Sequence, residues 1–260
     1  MNVVERLSAN WRESGIESGD LILLHANIKS LYMKYRKLDY NLTLDEIIDS
    51  FLKAVGSNGG IVFPAFNYDY SLEKPFDMRV TPSGMGSLSE AARKRAGKGR
   101  TGHPFYSFSC LGRYPCQLNG LINTDAFGCG SPFDIIHQIG GKIAVLALDD
   151  QHSMTYYHYA EQLEGVQHRF SKTFLGTHID LEGRKKERSF TMYVRDIDAG
   201  VVTDVNSMGD LLWRENLYKG CRFNEGNKLR TIPVSDLVTA TSTVIKAGRA
   251  NGLLYRIENT

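Results

Sequence analysis

Three short apolar runs constrain the fold most: Leu21 to Leu24, Ile61 to Phe63, and the stretch led by Lys142 that continues to Leu148. A strand with one face in water alternates in polarity. A strand that is apolar throughout is covered on both faces, which requires a sheet packed between layers of helices. Helical patterns lie between these runs. Thr43 is a candidate N-cap with Glu46 three residues later, the spacing of a capping box. The helix it opens turns Leu44, Ile47, Ile48, Phe51 and Leu52 inward and stops in the glycine-rich stretch 56–60. Ser131 caps a second helix whose first residue is Pro132, and Gly140-Gly141 ends it. Helices are also predicted over 2–14, 87–95, 155–163, 208–215 and 234–248, and another strand over 105–110. Alternation on both sides of Glu182-Gly183 predicts a hairpin over 170–194. Residues 67–83 show no period and read as a long surface loop. The fold class is α/β: a mixed, largely parallel central sheet flanked by helices, with a β-hairpin in the C-terminal half, in one domain spanning 1–260.

Composition excludes several functions. A formal net charge of +2 lacks the basic surplus on which nucleic-acid affinity rests. There is no apolar run of about 18 residues for a transmembrane helix, and Met1 to Asn10 lacks a signal-peptide core, so a cytoplasmic protein is expected. Cys110, Cys116, Cys129 and Cys221 form no Cys-x-x-Cys pair and are expected to be buried free thiols. No phosphate-binding P-loop is present, and Gly84-Met-Gly86 lacks the third glycine of a dinucleotide fingerprint. A Gly-x-Ser-x-Gly elbow is absent. His152 and His158 do not form a His-Glu-x-x-His pair, and no metal is expected.

Two segments combine residue types suited to chemistry. Thr155, His158 and Glu161 recur every third residue, so neighbours share a face of the predicted helix. A carboxylate beside an imidazole fixes its tautomer and raises its basicity; an exposed pair of no function has the same spacing. Arg100, His103, Pro104 and Ser107 place a permanent cation, an imidazole and a hydroxyl close together. That suits an anionic ligand, while the basic run 93–100 equally suits a solvated helix end. His25 follows the first apolar run, at the carboxyl edge where open α/β sheets bind ligands, with Asn27 and Lys29 beyond it; a buried structural histidine is the alternative.

The order of these pieces resembles the aminoglycoside 3-N-acetyltransferases, also called antibiotic N-acetyltransferases. The matching blocks are Gly19-Asp20 with the first strand and His25, Gly59-Gly60 with the strand closed by Pro64, Gly86-Ser-Leu-Ser-Glu90 with Arg93, Arg100-Thr-Gly-His103-Pro104-Phe-Tyr-Ser107-Phe108, Phe127-Gly-Cys-Gly-Ser131-Pro132, and Thr155 to Glu161. The resemblance implies acyl transfer from acetyl-CoA, or another acyl-CoA, to an amine. It assigns His25, Asn27, Lys29, Arg100, His103 and Ser107 to CoA, and makes His158 the base. Thr155 would donate to the developing oxyanion, and Glu90 would orient His158 or the amine. Asp69 and Glu161 are the carboxylates assigned to the substrate.

The sequence departs from the family in two respects, and the first is that Ala26-Asn27 stands where a serine pair is frequent. Lys74 and Arg79 among the loop carboxylates, with Arg184-Lys-Lys186, Arg188 and Arg195, favour an anionic acceptor. A nucleotide-linked amino sugar for surface polysaccharide is therefore expected ahead of an aminoglycoside. A non-catalytic ligand-binding relative and an acyl-CoA thioesterase are the alternatives. The partner is a small amino sugar, neither nucleic acid nor membrane, and a homodimer is left open.

Overall fold

The computed structural model describes residues 2–258. Along the chain run α1 (Val3–Glu13), β1 (Leu21–Ala26), α2 (Lys29–Arg36), α3 (Leu44–Val55), β2 (Gly60–Pro64), β3 (Phe76–Asp77), α4 (Ser87–Ala96) and β4 (Phe108–Gly112). There follow α5 (Pro132–Gln138), β5 (Lys142–Leu146), α6 (Tyr156–Leu163), β6 (Arg169–Ile179), β7 (Lys185–Arg195) and β8 (Val201–Thr203). The chain closes with α7 (Asn206–Arg214), β9 (Lys219–Gly220), β10 (Leu229–Pro233), α8 (Val234–Lys246) and β11 (Tyr255–Ile257). Among the described residues no helix is long and apolar enough to cross a membrane.

The main sheet has the order β4-β2-β1-β5-β10-β9. Its centre, β2-β1-β5, is parallel, and β4, β10 and β9 add antiparallel edges. Burial on both faces follows from the strand sequences. Leu23, Val62, Ile143 and Val145 enter the core beneath α5, α6 and α8. Their chain neighbours Ile22, Ile61, Ala144 and Leu146 enter the opposite core, with Trp11 of α1 and Phe51 of α3. The capping box at Thr43 and Glu46 forms, as does the Ser131 cap with Pro132 in the first turn.

Sequence and structure part company in several places: of the four cysteines expected to be buried, only Cys110 is, while Cys116 and Cys129 are exposed. Residues 67–83 run largely over the surface as expected, but the segment is tied down at a few points. Tyr70, Phe76 and Met78 are buried, a single 3-10 turn covers Asp69–Leu72, and β3 pairs in parallel with β6 at the edge of the hairpin sheet. A strand of two residues is too short to leave a period. The strand expected over 105–110 begins at Phe108. The short helix α2 and strand β10, which pairs antiparallel with β5, carried no recognised signal.

Topology fixes where a ligand can enter. β1 has β2 on one side and β5 on the other, so the chain reverses its direction of travel across the sheet at β1. Loops leaving β1 and β5 diverge there, and the crevice between their carboxyl ends is the binding position of open α/β sheets.

Candidate active site

A groove of about 760 Å³ occupies that crevice. One wall is Ala26–Lys29 with Tyr32 and Arg36 of α2, the second is Gly84–Leu88, and the third is Leu148 and His152 after β5. Gly86 has φ +91 and starts α4 with no side-chain cap, and a helix start of this kind favours an anion. Lys29 and Arg36 add cations, while Ala26, Met85 and Leu148 add apolar surface. Cations and apolar surface thus line the same groove. Ala147, at the turn out of β5, has φ +53, strained for a residue with a Cβ and found most often near functional sites.

Three residues beyond His152 the chain enters α6, with Thr155 as its N-cap residue. His158 lies one turn further, its side chain 19% exposed. Its Nδ1 donates to Glu161 Oε2 at 2.8 Å. That bond fixes the tautomer and leaves Nε2 with its lone pair. Burial lowers the basicity of His158, and the Arg169 charge lowers it further, against the raising effect of Glu161. The ring is therefore neutral at neutral pH, the form a base requires. Glu161 is only 1% exposed. Burial alone would raise its pKa, but hydrogen bonds from His158 and His168, with the Arg169 charge, hold it well below the usual carboxylate range. Glu161 thus orients His158 and does not face a substrate, contrary to its assignment as a substrate ligand. Thr155 uses no side-chain bond to cap the helix, so its hydroxyl is free to donate.

The block from Arg100 to Ser107 lies inside the protein. Arg100 is 1% exposed, and His103 and Ser107 are fully buried. The Arg100 guanidinium donates to the carbonyls of Met78 and Thr81 and to Ser107 Oγ. Ser107 donates to the Ala65 carbonyl. His103 sits between the Thr191 carbonyl at Nε2 and the Tyr106 amide at Nδ1. These groups tie the β2 end, residues 77–81 and β7 together, and none lines the groove. Glu90 is likewise occupied: Arg93 donates to both of its oxygens and the Ser83 amide to one, so it does not orient His158. Asp69 forms a half-exposed pair with Lys74. His25 stays within β1, 6% exposed, one residue before the groove wall, whereas Asn27 and Lys29 line it.

The buried imidazoles have a consequence for stability. Burial pushes His103 down to about 3, and burial with the Arg230 charge pushes His25 down to about 4. In the unfolded chain both titrate near 6.5. Between those values and 6.5 the unfolded state holds more protons, so stability is lost as the pH falls below about 6.5. Each histidine contributes a slope of about 1.4 kcal/mol per pH unit. The urea midpoint should fall steadily from neutral pH toward pH 4, and a flat midpoint over that range would contradict the burial of these rings.

A family model described as aminoglycoside 3-N-acetyltransferase matches residues 23–246. The chain is 25% identical over 205 residues to aminoglycoside N(3)-acetyltransferase III of Serratia marcescens, covering 71% of this chain and 73% of that protein. It is 23% identical over 223 residues to an enzyme of the same name from Salmonella sp, covering 78% and 74%. Among solved structures, AAC-IIIb in a binary complex with CoASH superposes with a TM-score of 0.78 at 19% identity, over 95% of this chain and 97% of that one. Aminoglycoside acetyltransferase AAC(3)-Xa gives 0.77 at 20% identity, over 94% and 92%. At these identities the solved structures show a shared fold. The extent of the family match, on a fold with a groove at its switch point, shows that the chain belongs to the aminoglycoside 3-N-acetyltransferase family of CoA-dependent acyltransferases.

Proposed function

We propose that this chain transfers the acetyl group of acetyl-CoA to an amine of an aminoglycoside, with His158 as the general base. The observation that carries the reading is the neutral His158 imidazole, pinned through Nδ1 by Glu161 at the start of the helix that follows the groove. Bound acetyl-CoA supplies an activated acyl group. Asn27, Lys29, Arg36 and the first turn of α4 would hold its phosphates, and Ala26, Met85 and Leu148 its apolar arm. An ammonium cannot attack until it loses a proton, and His158 Nε2 is the acceptor for that proton. Thr155, one turn earlier on the same face, offers a hydroxyl to charge that develops on oxygen.

The family match supports an aminoglycoside acceptor, and the cations at the hairpin turn give an anionic acceptor no support. Arg184 is paired with Asp180 and Glu182, and Lys185 lies opposite Ile179 at the turn of the hairpin. Arg169, which contacts Glu161, is at the other end of β6, roughly 30 Å away along the strand. Arg184 and Lys185 are therefore remote from the base, whereas Arg195 stands opposite Arg169 at the base's end of the hairpin. An assay of free thiol release should therefore respond to aminoglycosides and not to nucleotide-linked amino sugars. Release only with the latter, or release with no amine present, would overturn the reading.

A further inference from the structure

We infer that Arg169 is a positioning residue: it balances the charge of Glu161, so that the carboxylate orients His158 without drawing a proton onto it. The inference rests on His158 being the base. Glu161 is shared among three groups. His158 Nδ1 lies 2.8 Å from Oε2, Arg169 Nε lies 2.7 Å from the same oxygen, and His168 Nε2 lies 2.8 Å from Oε1. The Arg169 contact is a close charge contact without hydrogen-bond alignment. Its terminal nitrogens are fixed elsewhere, by Thr203 Oγ1 at 3.0 Å and the Tyr193 carbonyl at 3.4 Å. The guanidinium is thus held in place by β7 and β8 rather than by the carboxylate it faces, and it is only 7% exposed.

The charges around His158 are few. Glu161 comes from its own helix. Arg169 opens β6 and His168 immediately precedes it, with the Tyr255 ring stacked on His168 at 3.9 Å. The Phe127 ring contributes an edge at 6.2 Å. Asp125, on the same loop as Phe127, is bonded to Gln162 Nε2. A lone buried carboxylate beside an imidazole stabilises the imidazolium and would leave the base already protonated. A permanent cation against the same oxygen cancels that pull.

The test uses the full chain, with Arg169→Gln and Arg169→Lys variants. Two readouts are needed: the titration of the His158 ring by NMR, and the pH profile of kcat/KM for acetyl transfer. In Arg169→Gln the ring should titrate at higher pH than in the wild type. The ratio of kcat/KM at mildly acidic to mildly alkaline pH should fall on the order of tenfold. The KM for acetyl-CoA should not change, and lysine should restore most of the wild-type profile. A folded Arg169→Gln protein with an unmoved His158 titration overturns the inference. So does a wild-type ring that titrates above the ordinary histidine value, which requires no variant to fold. A ring that shifts as expected in a protein that acetylates nothing supports this inference and sinks the functional reading, so the two failures are separable.

Discussion

Replacing His158 with alanine lowers kcat by about 10²–10⁴-fold, the usual worth of a general base, and leaves acetyl-CoA binding unchanged. The separation follows from where the residues sit. The groove walls are Ala26–Lys29, Gly84–Leu88, Leu148 and His152, whereas His158 is held by Glu161 on α6. Removing the imidazole touches no groove wall. Thiol release under saturating substrates gives kcat, and calorimetry gives the affinity. A variant that loses binding and turnover together would place His158 in the cofactor site. One that keeps its turnover would remove it from the mechanism. Glu161→Gln should show a smaller loss, because an amide oxygen still accepts from Nδ1 while the charge that steadies the protonated ring is gone.

The largest expected loss of stability lies at Arg230. Its guanidinium meets Asp150 Oδ1 at 2.9 Å and donates to the Leu148 carbonyl; both side chains are almost fully buried. Asp150 Oδ2 accepts from Tyr157 at 2.6 Å and Tyr218 at 2.7 Å, and the Arg230 cation lies over the Tyr218 ring. Burial raises the Asp150 pKa against the opposing charge of Arg230. Removing the cation alone leaves a buried carboxylate with no counter-charge, a loss of about 3–5 kcal/mol. For a chain of this size that is on the order of 10 °C in Tm. Replacing both partners with apolar residues, Arg230→Met with Asp150→Leu, should cost less than Arg230→Ala alone, since no charge is then stranded. Equal losses would mean that the network, not the unpaired charge, sets the cost. The same pair anchors the loop from Leu148 to Thr155, which joins the groove wall to the helix that carries His158. Arg230→Ala should therefore lose activity at temperatures below its unfolding transition.

The parts of the fold visible in the sequence are those decided locally. Apolar strands report their own double-sided burial, and Thr43 with Glu46 or Ser131 with Pro132 report their own helix starts. His158 with Glu161 was legible for the same reason, since three residues on a helix decide the contact. The misread parts depend on partners distant in the chain. Arg100 has the residue type of a phosphate ligand, yet the carbonyls of Met78 and Thr81 consume its donors. Arg169 carries no local sign of its place beside Glu161, because the hairpin brings it there. Gly84–Leu88 becomes a groove wall only once β1 lies between β2 and β5. The cations of 184–186 looked like an anion site in composition and proved to be at the wrong end of a long hairpin.

The most direct test of the central claim is a crystal structure of the chain with CoA and an aminoglycoside. The phosphates should lie against Lys29, Arg36 and the start of α4, the sulfur at the Leu148 end of the groove, and one amine of the acceptor within hydrogen-bond reach of His158 Nε2. A sulfur directed away from α6, with no acceptor nitrogen near that ring, would contradict it.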